Sequence, residues 1–144
     1  MNGGIQVLFT GIGGRRAYAQ VSRWLSAHPC RAVVSAGFAG ATQPGFHAGD
    51  LLLAEEVVEA SSNRRIRPSL LPEAIGPKPL HRGRFVTIPK AALTPSAKAE
   101  WGSRFGAIGV DMETAWVAQA ALERGVDWMG VRAILDPMER FLLG

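Results

Sequence analysis

The stretch Ser35-Ala-Gly-Phe-Ala-Gly-Ala-Thr-Gln-Pro-Gly-Phe-His-Ala-Gly-Asp-Leu-Leu-Leu-Ala-Glu-Glu-Val57 sets Gly37, Gly40, Gly45 and Gly49 ahead of an apolar run, Leu51 to Ala54. Another apolar segment, Arg31 to Ser35, runs just before it. Two segments that read as buried strands are thus joined by a flexible loop. Glycine has no Cβ, so it tolerates positive φ and lets the backbone approach a ligand closely, at an entropic cost. An unbroken apolar run such as 51–54 suits a strand covered on both faces, the habit of parallel sheets.

Outward from this stretch the chain alternates. Ile5 to Phe9 is a short apolar run, read as a strand, ending in Thr10-Gly-Ile-Gly-Gly14. Arg15 to Ala27 carries Ala17, Val21, Trp24 and Leu25 at helical spacing and breaks before Pro29. Asp50 to Val58 reads as a strand, and Ser61 to Arg82, rich in Pro, Ser and Arg, as an irregular crossing. Arg84 to Ile88 is a further strand. Pro95 to Phe105 is a helix with proline near its start. Ile108 to Asp111 is short and extended, Met112 to Arg124 is helical up to Gly125, and Trp128 to Leu135 is a last apolar strand before Asp136-Pro137. The alternation predicts a single α/β domain over 1–144, with a compact, mostly parallel or mixed central sheet flanked by helices. Ligands of such sheets bind outside the carboxyl ends of the strands. Gly11 to Gly14, Gly37 to Gly40 and Asp136 all fall there.

Composition narrows the function classes. The 144 residues are 47% hydrophobic and 19% charged, a globular balance. No apolar run has the length of a membrane span, and the N-terminus lacks the order of a signal peptide, so a cytoplasmic protein without a membrane partner is expected. The lone Cys30 offers neither an internal disulfide nor a thiolate cluster, and no metal is expected. The net charge of +4 rests on thirteen arginines and three lysines, a bias that suits anionic ligands. Arg64, Arg65 and Arg67 lack interleaved aromatics, so they read as a solvated loop and no nucleic-acid partner is expected.

Gly11-Ile-Gly-Gly14 imitates the start of a dinucleotide fingerprint, but the third glycine of that pattern would fall on Arg16. Gly11, Gly13, Gly14 and Arg15 can instead hold an anion at a helix start, where free N–H groups point outward, or form a plain tight turn. Val110-Asp-Met-Glu113 opens a helix, where a carboxylate also favours the helix dipole. Arg132 lies inside an apolar strand, so its buried charge requires a partner.

Taken in order, GIGG (11–14), the stretch 35–57, GVDMETAWVAQAALERGV (109–126) and VRAILD (131–136) resemble the nucleoside phosphorylase superfamily, which includes purine nucleoside phosphorylases and methylthioadenosine/adenosylhomocysteine nucleosidases. The ending Arg132 to Arg140 is most similar to the hopanoid-associated branch. The resemblance covers most of Val7 to Asp136 and implies a shortened version of that family's three-layer sandwich. It implies a nucleosidase or phosphorylase that cleaves the N-glycosidic bond of a purine nucleoside or derivative. It implies that Ala36, Gly37 and Phe38 line the pocket for base and sugar. Met112 would pack on the sugar, Glu113 would accept hydrogen bonds from its hydroxyls, and Asp136 would act as catalytic proton donor to the leaving purine. No cofactor is implied, inorganic phosphate being a possible co-substrate, and the partner is a small nucleoside. Family members bury apolar faces in oligomers, so a homo-oligomer is expected.

The chain departs from the family in places. Measured against it, the sequence starts at the second or third strand, without the strand end that helps bind phosphate or the glutamate that activates water in nucleosidases. Where hexameric phosphorylases carry an arginine and, three residues on, a serine, Ser35 and Phe38 stand. Thr87 to Ala91 has no base-stacking aromatic, and the serine that often precedes the catalytic aspartate is Leu135. These departures leave a non-catalytic nucleoside-binding or scaffold protein of the same fold as the alternative.

Overall fold

The computed structural model describes residues 4–92 and 94–138. Its elements are α1 (Gly14–Ala27), β1 (Ala32–Ala41), β2 (Leu51–Glu59), β3 (Arg64–Ile66), β4 (Leu80–Thr87), α2 (Pro95–Phe105), β5 (Ala107–Asp111), α3 (Thr114–Glu123) and β6 (Asp127–Asp136). The mixed sheet runs β3-β2-β4-β5-β1-β6, and β2 also pairs with β6. That last pairing closes β2, β4, β5, β1 and β6 into a ring with β3 appended outside. Pairing is parallel for β1 with β6, β2 with β4 and β4 with β5. It is antiparallel for β1 with β5, β2 with β6 and β2 with β3.

The apolar run of β2 is buried on both faces, as its pattern requires. Leu52, Ala54 and Val57 enter one core with Phe85, Trp128, Ile134 and the α3 alanines 115, 118 and 121. Val58 enters a second core with Val86, Ile88, Val110 and Phe105 of α2. Ala17 and Val21 seat α1 on Val117 and Ala120 of α3. Helix boundaries follow local chemistry. Thr94 caps α2 by accepting from the Ala97 N–H at 3.1 Å, with proline in the first turn. Gly106 ends that helix at φ 64°.

Three expectations change. Ile5 to Phe9 is not a strand: it pairs with no described strand, and extended backbone becomes a strand only when a neighbour takes its hydrogen bonds. The crossing 61–82 holds β3 and the start of β4, because Arg64 to Ile66 turns back to pair with Val57 to Glu59. The residues expected as a loop after Ser35 continue β1 to Ala41, since β6 runs alongside and supplies partners as far as Gly40. Among the described residues no helix is long and apolar enough to cross a membrane.

Candidate active site

Two strand ends and two helix starts meet at one groove. β1 brings Ala36, Gly37 and Phe38, and the turn before α3 brings Met112 and Glu113. Gly11 and the adjoining N-terminal segment form another wall, and Arg132 and Leu135 of β6 lie beside them. The structure therefore gathers most of the residues singled out in the sequence, from positions far apart in the chain. Asp136 ends β6 opposite Gly40 of β1; its side chain lies outside the described residues.

The centre of the site is Arg132, buried in a strand of apolar neighbours. Its Nη2 donates to Ser35 Oγ at 2.8 Å. Its Nε lies 3.3 Å from Asp111 Oδ2 and its Nη1 3.6 Å from Glu113 Oε1. The Nε contact has charge proximity without hydrogen-bond alignment. One buried guanidinium thus faces two carboxylates, the arrangement that makes a buried charge tolerable. Asp111 is held in turn by Thr87 Oγ1 at 2.7 Å, by the Thr114 N–H at 3.0 Å and by the Thr114 hydroxyl. Thr87 Oγ1 accepts from the Ala115 N–H at 3.0 Å, so the first turn of α3 is fixed by side chains from β4 and β5.

Glu113 is similarly committed. Its Oε2 accepts from the Gly13 N–H at 3.0 Å. The glycine turn before α1 therefore does hold an anion, and that anion is the protein's own carboxylate. Gly13 sits at φ 111°, a conformation that favours glycine. Gly14 serves packing instead, because a Cβ there would lie 2.1 Å from the Trp116 ring. Arg15 is exposed on α1 and does not border the groove.

Gly37 answers to Arg132 as well. A Cβ at Gly37 would stand 2.4 Å from Arg132 Nη1, so its missing side chain makes room for the guanidinium. β6 carries a bulge just before its end. Ala39 pairs with Ile134 but Gly40 with Asp136, and the bulge at Leu135 breaks the count between them.

Sequence reasoning missed Asp111, Thr87, Thr114 and Ser35 as partners of this network. The available signal was Arg132 itself, a charge inside an apolar strand, together with a carboxylate on either side of Met112. Among the described residues no group of three or more His, Cys, Asp or Glu is placed to hold a metal ion.

Residues 2–141 match the model of the Phosphorylase superfamily. The chain belongs to that family. Superfamily folds in solved structures agree with it. A Weissella paramesenteroides protein assigned as a methylthioadenosine nucleosidase aligns with TM-score 0.80 at 21% identity, over 90% of this chain and 68% of its own. A Helicobacter pylori nucleosidase mutant with 5′-methylthioadenosine in its active site aligns with TM-score 0.74 at 20% identity, over 91% and 66%. A futalosine hydrolase mutant from the same species aligns with TM-score 0.75 at 20% identity, over 91% and 66%. The chain thus spans about two thirds of the length of these structures. No curated protein matches it in sequence. Within the superfamily frame, the network around Arg132 joins the helix start at Glu113 to β6, the strand that ends at Asp136.

Proposed function

We propose that this superfamily member cleaves the N-glycosidic bond of a purine nucleoside or nucleoside derivative in the groove between β1, β6 and the start of α3. The observation that carries the reading is the position of Glu113. Its carboxylate borders the groove and is held from behind by the Gly13 N–H and Arg132, a preorganised acceptor for sugar hydroxyls. Met112 beside it supplies an apolar surface for the ribose, and Ala36, Gly37 and Phe38 supply the facing wall.

Departure of a purine leaves an oxocarbenium-like sugar and a base that is a poor leaving group unless protonated. Asp136, at the end of β6, is the proton donor in this reading. A general acid contributes roughly 10²–10⁴-fold. Water is favoured over phosphate as the attacking group because the Gly13 N–H is committed to Glu113 and Arg132 is shared among Ser35, Asp111 and Glu113. No cofactor enters this scheme, and a cytoplasmic setting with its nucleoside pool suits it.

A second reading, a nucleoside-binding protein without turnover, is favoured by Thr87 to Ala91, which offers no aromatic to stack on a base. A panel of purine nucleosides, with and without phosphate, assayed for released base by chromatography, separates the two. Release without phosphate supports hydrolysis, phosphate-dependent release supports phosphorolysis, and binding without release supports the second reading.

A further inference from the structure

Lys98 is fully buried, on the face of α2 that also buries Gly102 and Phe105. An ammonium withdrawn from water is costly, and a methionine would fill the same space without that cost. The depth follows from how α2 sits. Gly102, one turn on from Lys98, has no room for a side chain, because a Cβ there would lie 2.6 Å from both Thr42 Cβ and the Thr42 carbonyl oxygen. Thr42 is fixed in turn: its N–H donates to the Ile108 carbonyl at 3.1 Å and its hydroxyl to the Ala107 carbonyl at 2.5 Å. The glycine lets α2 settle on the sheet, and the ammonium goes down with it.

At that depth Lys98 Nζ donates to the Pro137 carbonyl at 2.6 Å, 39 residues along the chain. Pro137 directly follows Asp136, the last residue of β6. Two features leave this strand end in need of a tether. The ladder between β1 and β6 is interrupted one residue before Asp136, and bulges of this kind recur where a side chain is re-aimed beside an active site. Proline also has no N–H, so its own backbone can be held only through the carbonyl. A bond from an ammonium to that carbonyl is charge-assisted, stronger than a neutral one, and burial preserves it.

We propose that Lys98 is a positioning residue for the proton donor, its ammonium fixing the backbone immediately after Asp136 so that the acid is held at one place on the strand end. This role rests on the nucleoside reading, in which Asp136 protonates the leaving base. A general acid works only within hydrogen-bond reach of the atom it protonates, and a displacement of about 1 Å costs on the order of 10²-fold. Lys98 does not border the groove, so it acts through the Pro137 carbonyl rather than on the substrate. The buried charge is then explained by what it holds in place.

A double-mutant cycle on turnover and one NMR resonance test it. Lys98→Met keeps the apolar stem and removes the donor. Turnover of a purine nucleoside is expected to fall roughly 10–100-fold with nucleoside affinity little changed. In an Asp136→Asn background the same change is expected to cost almost nothing further, because the group it positions is already gone. A merely structural lysine would instead cost the same in both backgrounds. Pro137-Met138 is the sole Pro–Met pair among the nine prolines, so a chain carrying ¹³C-carbonyl proline and ¹⁵N-methionine shows a single linked signal. Lys98→Met is expected to move that carbonyl upfield as its hydrogen bond is lost. An unmoved carbonyl, equal losses in the two backgrounds, or affinity falling in step with turnover would overturn this role alone. No base released by the wild-type chain would overturn both this role and the nucleoside reading.

Discussion

Arg132 organises the site because a guanidinium buried in an apolar strand must find compensating charge, and among the described residues Asp111 and Glu113 supply it. Removing it strands two carboxylates. Arg132→Met should cost about 3–5 kcal/mol, the range for leaving a buried charge uncompensated, read by urea denaturation. Arg132→Lys keeps the charge but loses the fork, so stability should recover in part while ligand affinity stays low. Gly37→Ala tests the same contact from the other side. The added Cβ would press on Arg132 Nη1, which is pinned by Ser35 and the carboxylates, so the melting temperature should fall with affinity. Loss of affinity at unchanged melting temperature would show that Gly37 serves ligand approach alone. In the proposed reaction, Asp136→Asn removes the acid and should lower turnover by roughly 10²–10⁴-fold with little change in affinity. Glu113→Gln should lower both, by about 1.5–3 kcal/mol, and a 2′-deoxy substrate should lose less than the ribose form.

Among the elements, α1 and α3 are held together by small apolar residues and by a hydrogen bond from the Tyr18 hydroxyl to Glu123. That bond, with help from Gln119, holds the Glu123 carboxyl below its usual range, while Glu123 raises the Tyr18 hydroxyl. A carboxylate with a depressed folded pKa stabilises above its unfolded pKa, and that contribution fades as pH falls through the folded value. Tyr18→Phe should therefore return the Glu123 titration toward the ordinary carboxylate range, measured by carbon-detected NMR. It should also shrink the loss of stability on acidification. An unmoved titration would show that the pair is too solvated to matter. At α2, Thr94→Ala removes the cap that satisfies the Ala97 N–H and should cost about 1 kcal/mol by thermal unfolding.

For the molecule as a whole, ring closure is the main constraint. β2 pairs with β4 on one side and touches β6 on the other, so no strand of the ring can leave without breaking pairings on both sides. The described core should then unfold as one unit. Tryptophan fluorescence, which includes the buried Trp128, and far-ultraviolet circular dichroism should give coincident urea transitions. Separated midpoints would show that α1 or α2 detaches before the ring opens.

The sequence by itself determined the order and type of most elements, because each was written in a local signal: the double-sided apolar run of β2, the helical spacing of α1, the proline and glycine that bracket α2. It also marked Gly37, Glu113 and Arg132 as unusual, through a missing side chain, a helix start and a charge among apolar neighbours. Ile5 to Phe9 was misread because an apolar run signals a strand but does not supply its partner. The loop after Ser35 was misread because glycine content concealed a strand that β6, distant in the chain, stabilises. Only the tertiary structure closed the ring, directed the Gly13 N–H to Glu113 and set Arg132 between Asp111 and Ser35. Those outcomes depend on where charges and unpaired backbone meet in space, and a buried charge takes whichever partner the packing brings within reach, however distant in the chain.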